Sequence, residues 1–195
     1  MKKFFAALLV ALCGFVSLFA DDVADVKAVI VKDYELAMKG DSLQVLALFA
    51  PDFQETGTTG VTINYEQYKW FIISLDGKHP EEFLLWFVST GENEGAMLSA
   101  DQIARVRQMA RDPEFIKIYE ANTRNVVAWL KARAALCLKT LEFVSVKVDG
   151  DKAVAVVEFD EKDLKSGAVK REIETLFLRK VDGVWLFYRI VTKYK

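Results

Sequence analysis

Two Asp-Gly pairs late in the sequence, Asp149-Gly150 and Asp182-Gly183, constrain this chain more than any other feature in it. Each stands between runs rich in Val, Phe, Leu and Ile. That is the strongest short-range signal for a tight hairpin, because Asp and Gly accept the positive φ such turns require. The runs 141–148, 153–160, 169–179 and 184–192 therefore read as a four-strand antiparallel meander whose middle connection, 161–168, is longer and polar. A sheet this apolar must bury a face, so the helical sequence before it is expected to pack across it. On the last strand Trp185 and Phe187 alternate with Val184, Leu186, Tyr188 and Ile190, apolar on both sides. The second face is thus also expected to be covered, either by residues 81–138 or by a second copy of the chain.

The preceding residues read as helices. Val23, Val26, Ile30, Tyr34, Ala37 and Met38 recur at three- and four-residue spacing, one face of a helix over 23–39, with Asp25, Lys32, Asp33 and Lys39 on its wet side and Gly40 ending it. Asp41 with Gln44 forms a capping pattern for a short helix that stops at Pro51, and a short strand is expected at 53–56. Asn64 with Gln67 caps a helix over 65–75. Its Tyr68, Phe71, Ile72 and Leu75 should be buried, and Trp70 with Ile73 widens the stripe to two sides. Residues 81–138 are almost entirely helical by the same reading. Pro80 suits a helix start, Gly91 to Gly95 reads as a loop, Ser99 with Gln102 caps a segment, and Asp112-Pro113 opens the longest helix.

The first twenty residues form a targeting segment. Lys2 and Lys3 precede an apolar run from Phe4 to Ala20, with Asp21-Asp22 after it, the pattern of a secretory signal peptide cut after Ala20. Leu18 is larger than the residue usually wanted three places before a cut, which leaves an uncleaved anchor as an alternative. Cys13 lacks the small preceding residue that lipidation would want. Residues 21–195 then form one exported domain, periplasmic or secreted, not held in a membrane after cleavage. Removing two lysines and no acid leaves 24 basic against 28 acidic side chains, which is no nucleic-acid footprint. Cys137 alone survives cleavage and falls on an apolar helical stripe, so it reads as a small buried hydrophobe.

No chemistry stands out by motif. His79 is the one histidine and precedes Pro80-Glu81-Glu82, a helix-start or surface position. No zinc spacing, phosphate cradle or nucleophile elbow is present, so neither a metal nor a cofactor is expected. Carboxylates remain: Glu158 and Asp160 share one face of their strand, and Glu172 and Glu174 share one face of the next. Lys170 and Arg171 stand beside them, and the plainer reading is that all four are solvated.

The run Ala37-Met38-Lys39-Gly40-Asp41, the segment from Leu46 to Phe53, a Gly near position 60 and the closing Val181-Asp182-Gly183-Val184-Trp185 together resemble the nuclear-transport-factor-2-like superfamily. The resemblance covers about 23–75 and 139–194. It implies an α+β cone in which N-terminal helices pack on a curved antiparallel sheet, ending in the four-strand meander, around a pocket. A large helical insertion at about 81–138 departs from that pattern. Enzymes of the superfamily, ketosteroid isomerases and polyketide cyclases or dehydratases, use a pocket Asp or Asp-His pair with Tyr donors, and none of these maps onto a position here. The resemblance also implies that Tyr34, Tyr68, Trp70, Trp185 and Tyr188 line the pocket, where their polar tips would orient a ligand. The expectation is a non-enzymatic domain that binds a small hydrophobic ligand or a partner protein and dimerises through its sheet. The alternatives are an isomerase or dehydratase using Glu158, Asp160 or Glu174 with a Tyr, and a structural dimerisation module without a pocket.

Overall fold

The computed structural model describes residues 22–91, 97–162 and 167–195. The expected signal peptide, including Cys13, and parts of the loops expected at 91–95 and 161–168 lie outside these residues. Helix α1 covers residues 22–39 and buries Val26, Ile30 and Tyr34, the stripe its periodicity predicts. It ends where Gly40 takes φ 78° and both Gly40 and Asp41 donate their amides to the Leu36 carbonyl, at 2.9 and 3.1 Å, satisfying carbonyls that the last turn leaves free. Short α2 (Ser42–Leu46) follows under an Asp41 cap.

Strands β1 (Phe49–Thr56) and β2 (Thr62–Asn64) form a hairpin, and β1 is longer than the 53–56 segment predicted. Pro51 lies inside β1, within the register irregularity between Phe49 and Gln54, where its missing amide breaks no ladder bond. Then come α3 (Tyr65–Ser74), with both halves of the Asn64–Gln67 capping box formed, α4 (Pro80–Gly91), α5 (Ala100–Met109) and α6 (Pro113–Thr140). The meander is β3 (Glu142–Asp149), β4 (Lys152–Lys162), β5 (Val169–Val181) and β6 (Val184–Tyr194). The last hairpin encloses Asp182 and Gly183 at φ 51° and 81°, the two positive angles of a type I′ turn. In the first hairpin the loop pair is Gly150-Asp151, one residue later than expected, with Gly150 at φ 59° in first place.

The fold is α+β: helices against a curved, unclosed sheet of order β2-β1-β6-β5-β4-β3. All neighbours are antiparallel except β1 and β6. The inner face carries Ala155, Val157, Phe159, Leu176, Leu178, Trp185 and Phe187, which form one core with Val26 and Ile30 of α1, Ile72 of α3 and Cys137 of α6. The helical block 81–138 therefore joins the inner layer and does not cover the outer face. Val154, Val156, Ile173, Phe177, Leu186 and Tyr188 remain half-exposed there. Ile190 also departs from expectation. The pairing shifts between Phe177 and Leu178, leaving Tyr188 as an extra residue on β6, so Ile190 turns inward beside Trp185 and Phe187.

A smaller core binds the block to the rest. Trp70 of α3 packs with Leu85, Leu98 and Val106, so α3 is contacted on two sides, as its wide apolar stripe predicts. The Tyr119 hydroxyl of α6 donates to the Ser74 carbonyl at the end of α3.

Candidate functional site

Between the inner sheet face and the helices lies a cavity of about 510 Å³, within the size range of small-molecule sites. Phe49, Tyr68, Phe71 and Trp86 give it aromatic walls, and Val45, Ile72, Leu130 and Ile190 aliphatic ones. The rings pack on one another, Phe49 with Tyr68 at 4.7 Å and Phe71 with Trp86 at 4.8 Å between centroids. Helices α4 and α6 belong to the inserted block, so the block supplies one wall of the cavity.

Set into this apolar lining are Asp33 and Tyr34 of α1, Glu55 of β1, Tyr68 of α3, Arg133 of α6 and Glu174 of β5. The Tyr34 hydroxyl donates to Glu174 Oε2 at 3.0 Å. Asp33 Oδ1 is out of contact with solvent and has no hydrogen-bond partner among the described residues. Arg133, also in the lining, donates its Nε to Glu161 Oε1 at 2.7 Å and its Nη2 to Glu172 Oε2 at 3.2 Å, with the guanidinium over the Phe159 ring.

Burial sets the electrostatics. Removal from water pushes Asp33 up to about 7, helped by the nearby charges of Glu174 and Glu55 and opposed by Arg133. Glu55 is pushed up to about 7 for the same reasons, burial first and Glu174 second. Glu174 is raised by burial, although Arg133 and the Tyr34 hydroxyl favour its charged form. Tyr34 and Tyr68 stay protonated, raised by burial and by the surrounding carboxylates. Behind Arg133, burial and the hydrogen bond with Glu161 hold Glu172 protonated, and Glu161, despite burial, is kept ionised by Glu172 and Arg133. The hydrogen bonds of Arg133 are thus spent on Glu161 and Glu172, while its charge still favours ionised Glu174. Two carboxyls titrating near neutrality beside two phenols and open volume constitute an arrangement able to accept and return protons.

The structure brings together some of the sequence-predicted residues and separates others. Tyr34, Tyr68 and Glu174 line the cavity. Trp70 packs in the smaller core, and Trp185 is 2% exposed within the main one, so neither is on the cavity wall. Tyr188 is on the outer sheet face, 6.1 Å from Phe177 and under Arg179. Glu158 and Asp160 share that outer face by strand alternation, where Arg171 pairs with both, at 3.4 and 3.2 Å, and Lys195 with Glu158 at 3.0 Å. Their pairing with cations outside the apolar interior separates them from any cavity chemistry. His79 sits at the start of α4 between Asp76 and Glu81. Cys137 is fully buried with its thiol pushed up to about 12, chiefly by burial, which leaves it unreactive.

Sequence reasoning missed Asp33, Glu55 and Arg133, yet each carries a spacing signal. Asp33 falls three residues after Ile30 and four before Ala37, and Arg133 three after Leu130 and four before Cys137, which is the spacing of the buried stripes themselves. Glu55 lies two residues after Phe53 on one strand and so faces the same way.

No protein-family model matches the chain, and no match was found among curated proteins. Solved structures do match. An NTF2-like protein with a cystatin-like fold from Novosphingobium aromaticivorans aligns at 13% identity over 94% of this chain and 87% of that one, with a TM-score of 0.46. An NTF-2-like protein of unknown function from Silicibacter pomeroyi aligns at 18% identity, over 91% and 98%, with a TM-score of 0.42. A ketosteroid isomerase-like protein from Erwinia carotovora atroseptica aligns at 14% identity, over 89% and 95%, with a TM-score of 0.39. The chain is similar to these in fold.

Proposed function

We propose that this protein is an acid-base enzyme that shifts a proton within a small, largely apolar carbonyl compound held in the cavity. The observation that carries this reading is the half-buried Tyr34–Glu174 hydrogen bond, 3.0 Å long, at the wall of open volume that Asp33 and Glu55 also line. It favours catalysis over the plain ligand-binding function expected from sequence, because a pocket for neutral apolar molecules has no use for three half-buried carboxyl groups in its lining.

In the proposed mechanism Asp33 is the base. Its carboxylate takes a proton from the carbon beside the carbonyl, and the carbonyl oxygen, as it becomes an enolate oxygen, accepts a hydrogen bond from the Tyr68 hydroxyl, which lines the same cavity. For a β,γ-unsaturated carbonyl compound the enolate is a dienolate, and Asp33 returns the proton at its γ carbon, so the double bond moves into conjugation and the isomerisation balances without any co-reactant. Glu174 fixes the orientation of Tyr34, and Glu55 holds a proton or releases it near neutrality. A base with a pKa near the working pH gains about 10²- to 10⁴-fold from such a transfer. Deuterium uptake beside the carbonyl of cyclohexanone, followed by NMR, tests the reading. Uptake is expected to exceed that in buffer alone and to fall about 100-fold in Asp33→Asn, while Glu158→Gln leaves it unchanged. Uptake no faster than buffer for the native chain would remove the proposal.

Two further expectations belong to this reading. The outer sheet face, with Phe177 and Leu186 half-exposed, supports a homodimer formed through that face. The apolar first twenty residues support export to the periplasm or the medium.

A further inference from the structure

The charges around the cavity do not balance. Asp33, Glu55 and Glu174 form no ion pair among the described residues, and the one hydrogen bond given to any of them comes from the neutral Tyr34 hydroxyl. Arg133 is the nearest cation, and its guanidinium is committed to Glu161 and Glu172. Lys131 belongs to the lining, but its side chain lies against Gly40, so close that a Cβ there would come within 3.0 Å of its Cε. That position is beside the exposed Gly40, and Lys131 forms no ion pair with Asp33, Glu55 or Glu174 among the described residues. A buried carboxylate oxygen without a donor is costly, and here it belongs to a side chain that lines open volume. Around the same volume stand the faces and edges of Tyr34, Phe49, Tyr68, Phe71 and Trp86. Aromatic rings attract a cation through their quadrupole, and the attraction grows where water is excluded.

We infer that the cavity recognises a small apolar molecule carrying one positively charged nitrogen, the nitrogen set between Asp33, Glu55 and Glu174 and the remainder against the aromatic walls. A cation supplies the missing donor to Asp33 Oδ1 and neutralises a group of acids that otherwise repel one another. A neutral ligand of the same shape leaves both costs in place. The inference rests on the cavity being the site, as proposed above, but not on proton transfer.

The test is calorimetric titration of the purified chain at pH 7.5 with 2-phenylethylamine, which is an ammonium ion there, against 2-phenylethanol, its neutral near-isostere. The ammonium is expected to bind at least tenfold more tightly. Glu55→Gln and Asp33→Asn should each reduce that preference at least fivefold, and Glu158→Gln, on the opposite face, should not change it. Equal or weaker binding of the ammonium, no binding of it at millimolar concentration, or a preference indifferent to both cavity variants overturns the inference. The two proposals fail separately: cation-selective binding without deuterium uptake removes the isomerase alone, and uptake without cation preference removes this inference alone.

Discussion

At the scale of single residues, Asp33 and Glu55 make the native state hold protons that the unfolded chain releases. Both titrate at about 7 when folded, from ordinary values of 3.8 and 4.5. Between those limits the folded chain binds more protons, so the contribution of these two groups to stability is full below about pH 4, falls as pH rises toward 7 and levels off above it. A charge whose pKa is raised on folding costs stability only where it is ionised, so Asp33→Asn is expected to stabilise the fold at pH 8 and by much less at pH 4.5. Urea unfolding of both proteins at the two pH values checks this, and equal effects at both would refute it. Arg133 should behave oppositely. Its replacement by Met strands Glu161 and Glu172 beside each other, with an expected loss of about 3–5 kcal/mol, read from the denaturation midpoint. Sequence reading was weakest at this scale. A charged residue on a helix is usually solvated, and composition gave no reason to turn Asp33 or Arg133 inward. The reason is tertiary: the curved sheet and α6 enclose a volume, and these side chains face it.

At the scale of elements, local chemistry and structure agree closely. The capping box of Asn64 and Gln67, the Gly40 helix end and the Asp182-Gly183 turn all stand where residue preferences put them, because each is decided within a few neighbouring residues. Asn64→Ala should cost about 1 kcal/mol, measured by urea unfolding, since it frees one amide at the start of the helix that carries Tyr68. What failed were features set by partners far along the chain. The sequence around Pro51 reads as a helix end, yet β1 runs through it because β6 offers a ladder whose irregular register accommodates a residue without an amide. Ile190 likewise obeys a bulge in the pairing of β5 with β6 that simple alternation could not reveal.

At the scale of the whole molecule, the described helices lie on one side of the sheet and leave the other uncovered. Under the proposed pairing, Phe177→Glu puts a charge at the centre of the contact, and sedimentation is expected to show native dimers and mutant monomers with unchanged circular dichroism. A native monomer would refute the pairing. The two-sided apolar pattern of β6 was legible in the sequence, but the sidedness of the helical block was not, since periodicity states that a helix has a buried face and not which surface it meets.

Strand β6 is the latest of the six to be synthesised, yet it lies in the interior of the sheet, between β1 and β5. Neither β1 nor β5 can complete its ladder until residues 184–194 have left the ribosome, and Ile190 closes the cavity wall only then. Assembly of this sheet therefore waits for β6 and is dominated by long-range pairings that form slowly. A nascent chain that lacks β6 has no finished site.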